Sequence, residues 1–198
     1  GNNLQVLSWF IFLGVISILA ALFYTIGMAY GYKGFGDIAV FIFFGLVAVI
    51  GSQILITAAS ENGLDMYPDT FLLGVSSGLG SVMVLHVAST RDIIEDRANG
   101  KHTLASRLGF KMSAVYLLIL LVCTICSSVA ACIFSHKAWE LTVIVFGLIP
   151  LCASAFRTVR HIQDPQKVAR ELKFTALGCA IHHISWMIVL TLDFWAYA

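Results

Sequence analysis

The chain has 198 residues, 59% of them hydrophobic and 12% charged, with a formal net charge of +1. Soluble domains carry about 25% charged residues, so this composition excludes an ordinary water-soluble globule. The near-neutral balance leaves no basic face for nucleic acid, which is excluded as a partner. Cys123, Cys126, Cys132, Cys152 and Cys179 all lie in apolar stretches rather than in a spaced disulfide framework. Cys123 and Cys126 form a C-x-x-C without a partner pair. That favours small residues on a buried helix over zinc or redox chemistry.

A membrane helix needs about 20 consecutive apolar residues to cross a hydrocarbon core roughly 30 Å thick. In chain order, the stretches 4–26, 38–59, 71–90, 112–135, 138–156 and 174–198 meet or nearly meet this length. The first four carry no charge, the fifth has Glu140 at its edge and the last has Asp193 near its end. The fold class is therefore all-α, a polytopic membrane bundle of six transmembrane helices in one domain over residues 1–198. The first stretch has no basic flank and is too long for a signal-peptide core. The third is rich in small residues: Gly74, Gly78 and Ser81, with Ser76, Ser77 and Gly80, recur near helical spacing and are expected to serve close helix packing. Pro150 is expected to kink the fifth helix.

The loops fix the orientation. Lys33, Arg91, Arg97, Lys101, Arg107, Lys111, Arg157, Arg160, Lys167, Arg170 and Lys173 share one side, and Lys137 stands on the other. This asymmetry puts loops 27–37, 91–111 and 157–173 on the cytoplasmic or equivalent inner side, and residues 60–69 opposite. Gly1 then starts outside, which an odd number of preceding helices would explain.

The richest polar segment starts where the third span ends. If that helix continues past Thr90, Asp92 and Asp96 lie at i and i+4 on one face. Two stacked carboxylates repel unless a cation lies between them. Mg²⁺ suits them, because it takes oxygen ligands and is commonly held by one or two carboxylates plus substrate phosphates. Lys101 and Arg107, just downstream, could hold phosphate oxygens. Gly100 would end the helix and turn the chain back. The plainer alternative is a solvated, mixed-charge loop capping a membrane helix, in which Arg91–Glu95 and Arg97–Lys101 are ordinary surface pairs.

Residues 24–37, YTIGMAYGYKGFGD, followed by IAVFIFFGLVAVIGS, and residues 90–109, TRDIIEDRANGKHTLASRLG, resemble the UbiA superfamily of membrane prenyltransferases. Within it they are most similar to the 1,4-dihydroxy-2-naphthoate prenyltransferases of menaquinone synthesis and their vertebrate relatives. The resemblance implies a nine-helix bundle around a central cavity, of which this chain supplies helices four to nine, with the N-terminal three absent. It also implies an Mg²⁺-dependent enzyme. Two aspartate-rich motifs hold Mg²⁺ and a polyprenyl diphosphate, the diphosphate leaves, and an aromatic acceptor attacks the allyl group. Carried over by position, Asp92 and Asp96 are the metal-binding and catalytic residues of the second motif. Arg91, Lys101, Arg107, Tyr24, Lys33 and Asp37 are substrate-binding candidates, with Lys33 offset from the usual lysine.

Two departures bear on activity. The first aspartate-rich motif falls outside this chain, and Ala88 and Ser89 stand where the group has asparagines. A methyl group cannot coordinate Mg²⁺. A second reading follows, in which the chain is a non-catalytic homologue serving as a structural subunit among other membrane subunits. A small transporter is a weaker third reading, because no inverted repeat with paired broken helices is visible. Gln53, His86, His182 and His183 are intramembrane polar groups, expected to bond between helices rather than to touch substrate. Gln53 is the one also placed to face a cavity. Trp9, Trp139, Trp195 and Tyr197 are expected to form an aromatic belt, with Trp186 apart from it.

Overall fold

The computed structural model describes residues 2–59, 67–135 and 138–197. Every element in it is helical. In order they are α1 (Asn2–Thr25), a 3-10 turn (Tyr30–Lys33), α2 (Gly36–Val40), a π-helical segment (Phe41–Val47), α3 (Ala48–Ala59), α4 (Pro68–Arg91), α5 (Ile93–Ala98), α6 (Leu104–Ser135), α7 (Ala138–Arg160) and α8 (Pro165–Tyr197). Among the described residues six spans are long and apolar enough to cross a membrane: Val6–Thr25, Gly36–Thr57, Pro68–Arg91, Leu104–Ser135, Trp139–Arg160 and Pro165–Leu192.

The number of spans agrees with the sequence reading, but several helices start earlier than their apolar runs. α8 begins at Pro165 because the Asp164 carboxylate accepts the Lys167 backbone N–H at 3.2 Å. Proline at the first helical position has its φ already set, so the cap and the proline start the helix together. α6 begins at Leu104 and leaves helical geometry at Gly109, where φ is 72° and ψ 173°. A short first turn is thereby set apart from the long apolar helix. α7 remains helical through Pro150. There Gly178 of α8 approaches so closely that a Cβ on it would lie 2.7 Å from the Leu151 nitrogen.

α4 is the hub. It packs against α6, α8 and the π-helical segment, while α7 packs against α8 and α6. Met83, Val87, Leu117, Ile144, Leu151 and Val189 form the core between these helices, each at most 1% exposed. The small residues of α4 do what their spacing suggested. A Cβ on Gly45 of the π-helical segment would lie 2.6 Å from the Gly74 carbonyl oxygen and 2.7 Å from the Gly78 Cα. Deeper in the bundle Ser76 Oγ meets Ser128 Oγ at 2.6 Å and His182 Nε2 at 3.0 Å, joining α4, α6 and α8. His183 Nδ1 is 3.7 Å from Cys179 Sγ.

The outer faces are apolar. No residue of the most apolar stretch of α1 is fully buried. Cys123 and Cys126 are exposed on α6, which corrects the expectation that they are buried. α6 turns a stripe containing Leu117, Leu121, Thr124 and Ser128 inward, and the two cysteines fall outside it. Trp9 and Trp139 are exposed, whereas Trp186 is buried. Lys137, residues 60–66 of the expected outer loop, and the side chains of Asp193, Trp195 and Tyr197 lie outside the described residues.

Candidate active site

A pocket of about 180 Å³ opens at the C-terminal end of α4. Three segments build it: the α1–α2 connection, the last turns of α4, and the loop around α5. The first segment turns sharply. Gly34 sits at φ 90° and Ala29 at φ 44°, a region that glycine occupies freely and alanine does not. Gly31 has no room for a side chain, since a Cβ would lie 2.7 Å from the Tyr24 ring. Tyr24 in turn packs edge-on against Tyr30 at 5.4 Å, whose hydroxyl donates to the Ala20 carbonyl at 2.7 Å. This aromatic stack carries Tyr24 and Asp37 to the pocket wall.

The α4 helix does not continue through the aspartates, contrary to the sequence expectation. Asp92 leaves helical geometry at φ −95°, ψ 7° and closes α4. The short α5 follows, and the Asp96 N–H donates to the Asp92 carbonyl at 2.7 Å. That bond keeps the two residues one turn apart, so both carboxylates still line the same pocket. Gly100, at φ 68°, lets the chain turn back as expected, and the Lys101 N–H donates to the Asp96 carbonyl at 2.8 Å.

The two carboxylates differ in their surroundings. Asp92 is held by its neighbour: Arg91 Nε donates to Oδ1 and Nη2 to Oδ2, both at 2.6 Å. Asp96 is buried; its Oδ2 accepts from the Thr103 hydroxyl at 3.0 Å, and its Oδ1 lies 3.8 Å from Lys101 Nζ. Lys101 Nζ also stands 4.9 Å over the Tyr32 ring, and both residues line the pocket. Ala88 and Ser89 form part of the same wall.

Four candidates are placed differently from their sequence reading. The Arg107 side chain bonds to backbone rather than facing the pocket: Nη2 donates to the Lys33 carbonyl at 2.8 Å and Nε to the His102 carbonyl at 3.1 Å. The His102 N–H donates to the Tyr32 carbonyl at 2.7 Å. Arg107 thus staples the α1–α2 connection to the loop after α5. Lys33 is exposed and enters this staple through its carbonyl. Arg91 reaches the site through Asp92 rather than as part of the lining. Gln53 does not line the pocket, and its two amide atoms are buried with no hydrogen-bond partner among the described residues.

His86 and Tyr116 lie beside the pocket and meet Asp37, a partner the sequence reading did not give them. His86 lies under Asp37, with Nδ1 3.8 Å from Asp37 Oδ2. Its Nε2 is 3.2 Å from the Ser113 carbonyl, a bond between helices as anticipated. Tyr116 packs edge-on to His86 at 4.7 Å; a lone tyrosine in an apolar helix carries no signal of such a role. Thr103 was also missed. It caps α6, accepting the Ser106 N–H at 3.3 Å, and the Thr-x-x-Ser spacing would have pointed to it.

Among the described residues no group of three or more metal-ligating side chains is gathered in one place. Asp92 and Asp96 offer oxygen donors on one wall. Such a set fits a hard cation that completes its shell with water and phosphate.

Comparison with known proteins decides the family. Residues 3–182 match the UbiA prenyltransferase family. The chain belongs to that family. A UbiA chain with six apolar helices of this length is an integral membrane protein. It is 33% identical over 189 residues to 1,4-dihydroxy-2-naphthoate octaprenyltransferase of Escherichia coli (strain K12), covering 94% of this chain and 59% of that protein. It is 36% identical over 168 residues to the protein of the same name from Haemophilus influenzae, covering 84% of this chain and 52% of that one. A UbiA prenyltransferase domain-containing protein 1 from Dictyostelium discoideum is 36% identical over 102 residues, 50% of this chain and 28% of that protein. This UbiA chain therefore spans little more than half the length of the two bacterial relatives. No solved structure matches it.

Proposed function

We propose that this chain carries the prenyl-transfer site of an enzyme that moves a polyprenyl group from its diphosphate to an aromatic quinone precursor of the dihydroxynaphthoate type. The observation that carries the reading is the single pocket lined by Asp92, Asp96 and Lys101 on one wall and by Tyr24 and Asp37 on another. Asp92 and Asp96 would hold Mg²⁺, which would neutralise charge developing on the leaving diphosphate. Lys101 adds a cation that can reach a phosphate oxygen. The apolar helices around the pocket keep water from a reactive allyl group. The basic bias of the surrounding loops favours the inner side of the membrane for this end of the bundle.

In membranes containing the protein, polyprenyl diphosphate, dihydroxynaphthoate and Mg²⁺ should yield a prenylated naphthalene product detectable by mass spectrometry. Asp92→Asn keeps size and removes charge, so it should abolish product while leaving the folded protein at its normal level. Unchanged turnover in Asp92→Asn would remove Asp92 from the site.

A second reading, a non-catalytic membrane subunit, draws on a specific feature. Ala88 and Ser89 line the wall where the resembled group has asparagines. Absence of product together with firm co-purification of other membrane proteins would favour it. A gain of Mg²⁺-dependent diphosphate binding in the Ala88→Asn/Ser89→Asn double variant would favour a weakened enzyme site.

A further inference from the structure

Asp37 shares the pocket with Asp92 and Asp96 but has different company. The oxygens of Asp92 are taken up by Arg91, and those of Asp96 face Thr103 and Lys101. The Asp37 side chain is 9% exposed, and its Oδ2 has no hydrogen-bond partner among the described residues. The groups around it are Tyr24 from α1, His86 from α4 and Tyr116 from α6, with Asp92, Asp96 and Lys101 across the pocket.

The state of His86 follows from its other partner. A backbone carbonyl can only accept, so the nitrogen 3.2 Å from the Ser113 oxygen, Nε2, carries the hydrogen. In the neutral ring Nδ1 is then a bare lone pair, and it faces Asp37 Oδ2 at 3.8 Å. His86 is fully buried. Two acceptors facing one another away from water form a place that lacks one proton. Among the described residues no cation other than Lys101 lines this pocket, and Lys101 stands beside Asp96.

We propose that the Asp37–His86 pair binds the ring hydroxyl of the aromatic acceptor and takes its proton, with Asp37 in contact with the ring and His86 as a positioning residue behind it. This deepens the prenyl-transfer reading and rests on it. In the step, the acceptor O–H bond breaks heterolytically. The proton passes to Asp37 Oδ2, beside the His86 Nδ1 lone pair, and the ring oxygen keeps the bonding pair. The total charge of pair and ring is unchanged, while the ring gains the electron density that a nucleophilic carbon needs. The Tyr116 hydroxyl donates to the Asp37 carboxylate, which leaves Oδ2 for the ring hydroxyl, and Tyr24 adds aromatic surface to the pocket.

The test uses the purified chain in lipid nanodiscs, with empty nanodiscs as blank, and needs no turnover. The probes are 1-naphthol, its methyl ether, and a non-transferable prenyl thiodiphosphate. Bound 1-naphthol should shift toward its ionised form, showing naphtholate absorbance at neutral pH where the blank shows none, because its proton rests on the pair. The methyl ether, which has no proton to give, should bind about tenfold more weakly than 1-naphthol. Asp37→Asn should remove both differences, and His86→Phe should shrink the ionisation shift while 1-naphthol still binds. Retained thiodiphosphate binding in either variant certifies its fold. The inference is overturned if 1-naphthol ionises alike in wild type and Asp37→Asn, or if Asp37→Asn weakens thiodiphosphate binding instead. Wild-type binding of the thiodiphosphate without 1-naphthol overturns this inference alone, whereas binding of neither probe overturns the prenyl-transfer reading with it.

Discussion

Two groups of buried polar side chains lie along α4, and they are built on opposite plans. In the middle, Ser76, Ser128 and His182 close a neutral network between three helices, with Ser128 also donating to the Thr124 carbonyl at 2.9 Å. At the end of α4, three carboxylates share one pocket with Lys101. The first group pairs two hydroxyls with one imidazole nitrogen, leaving only His182 Nδ1 without a partner among the described residues, and contains no carboxylate or ammonium, so it holds helices together where lipid offers no hydrophobic drive. The second carries more negative charge than its lining neutralises and opens outward. A closed neutral network is glue; an open anionic one calls for a cationic or hydrogen-donating ligand. The same helix serves both because its small residues let neighbours approach along its length, while Asp92 stops it at the pocket.

That contrast can be broken experimentally. The larger effect belongs to His182→Ala. Removing a fully buried ring that bridges two serines should cost about 1–2 kcal/mol of stability, measured by unfolding in mixed detergent. Binding of the thiodiphosphate at the pocket should be unaffected. Weakened ligand binding at unchanged stability would mean that the middle network belongs to the site. A smaller effect is expected of Arg107→Ala, which removes two bonds to exposed loop carbonyls. Amide exchange at His102 should quicken and the two loops over the pocket should become easier to cleave, at a stability cost below about 1 kcal/mol. Arg107→Lys should not restore protection, because one ammonium cannot reproduce the two-nitrogen fork. Full protection in Arg107→Ala would show that the staple is unnecessary.

Much of this architecture was legible in the sequence. Long apolar stretches with at most one charge identified the six spans, because lipid tolerates no other backbone arrangement for such segments. Helix ends were less legible: α8 starts among Lys167, Arg170 and Lys173, where composition resembles a loop although the Asp164–Pro165 start was there to be read. Asp92 and Asp96 were expected on one face of a continuing helix; they line one pocket, but through a helix break. The contacts of Arg107 were not legible because its partners are backbone carbonyls, one of them in a distant loop, and a carbonyl leaves no mark in sequence. His86 could be noticed as an intramembrane histidine, yet its pairing with Asp37 depends on how α2 packs on α4, through glycines whose contacts only the fold reveals. Cys123 and Cys126 were read as buried because an apolar helix has no polar face to show which side meets lipid.

The central claim is that the end of α4 binds a prenyl diphosphate through Asp92 and Asp96. Calorimetric titration of the purified chain with a prenyl thiodiphosphate tests it most directly, with and without Mg²⁺ and in Asp96→Asn. Binding should require Mg²⁺ and should weaken about 100-fold in Asp96→Asn, since one carboxylate alone is a poor anchor for the cation. Tight binding that persists unchanged in chelator and in Asp96→Asn would contradict the account.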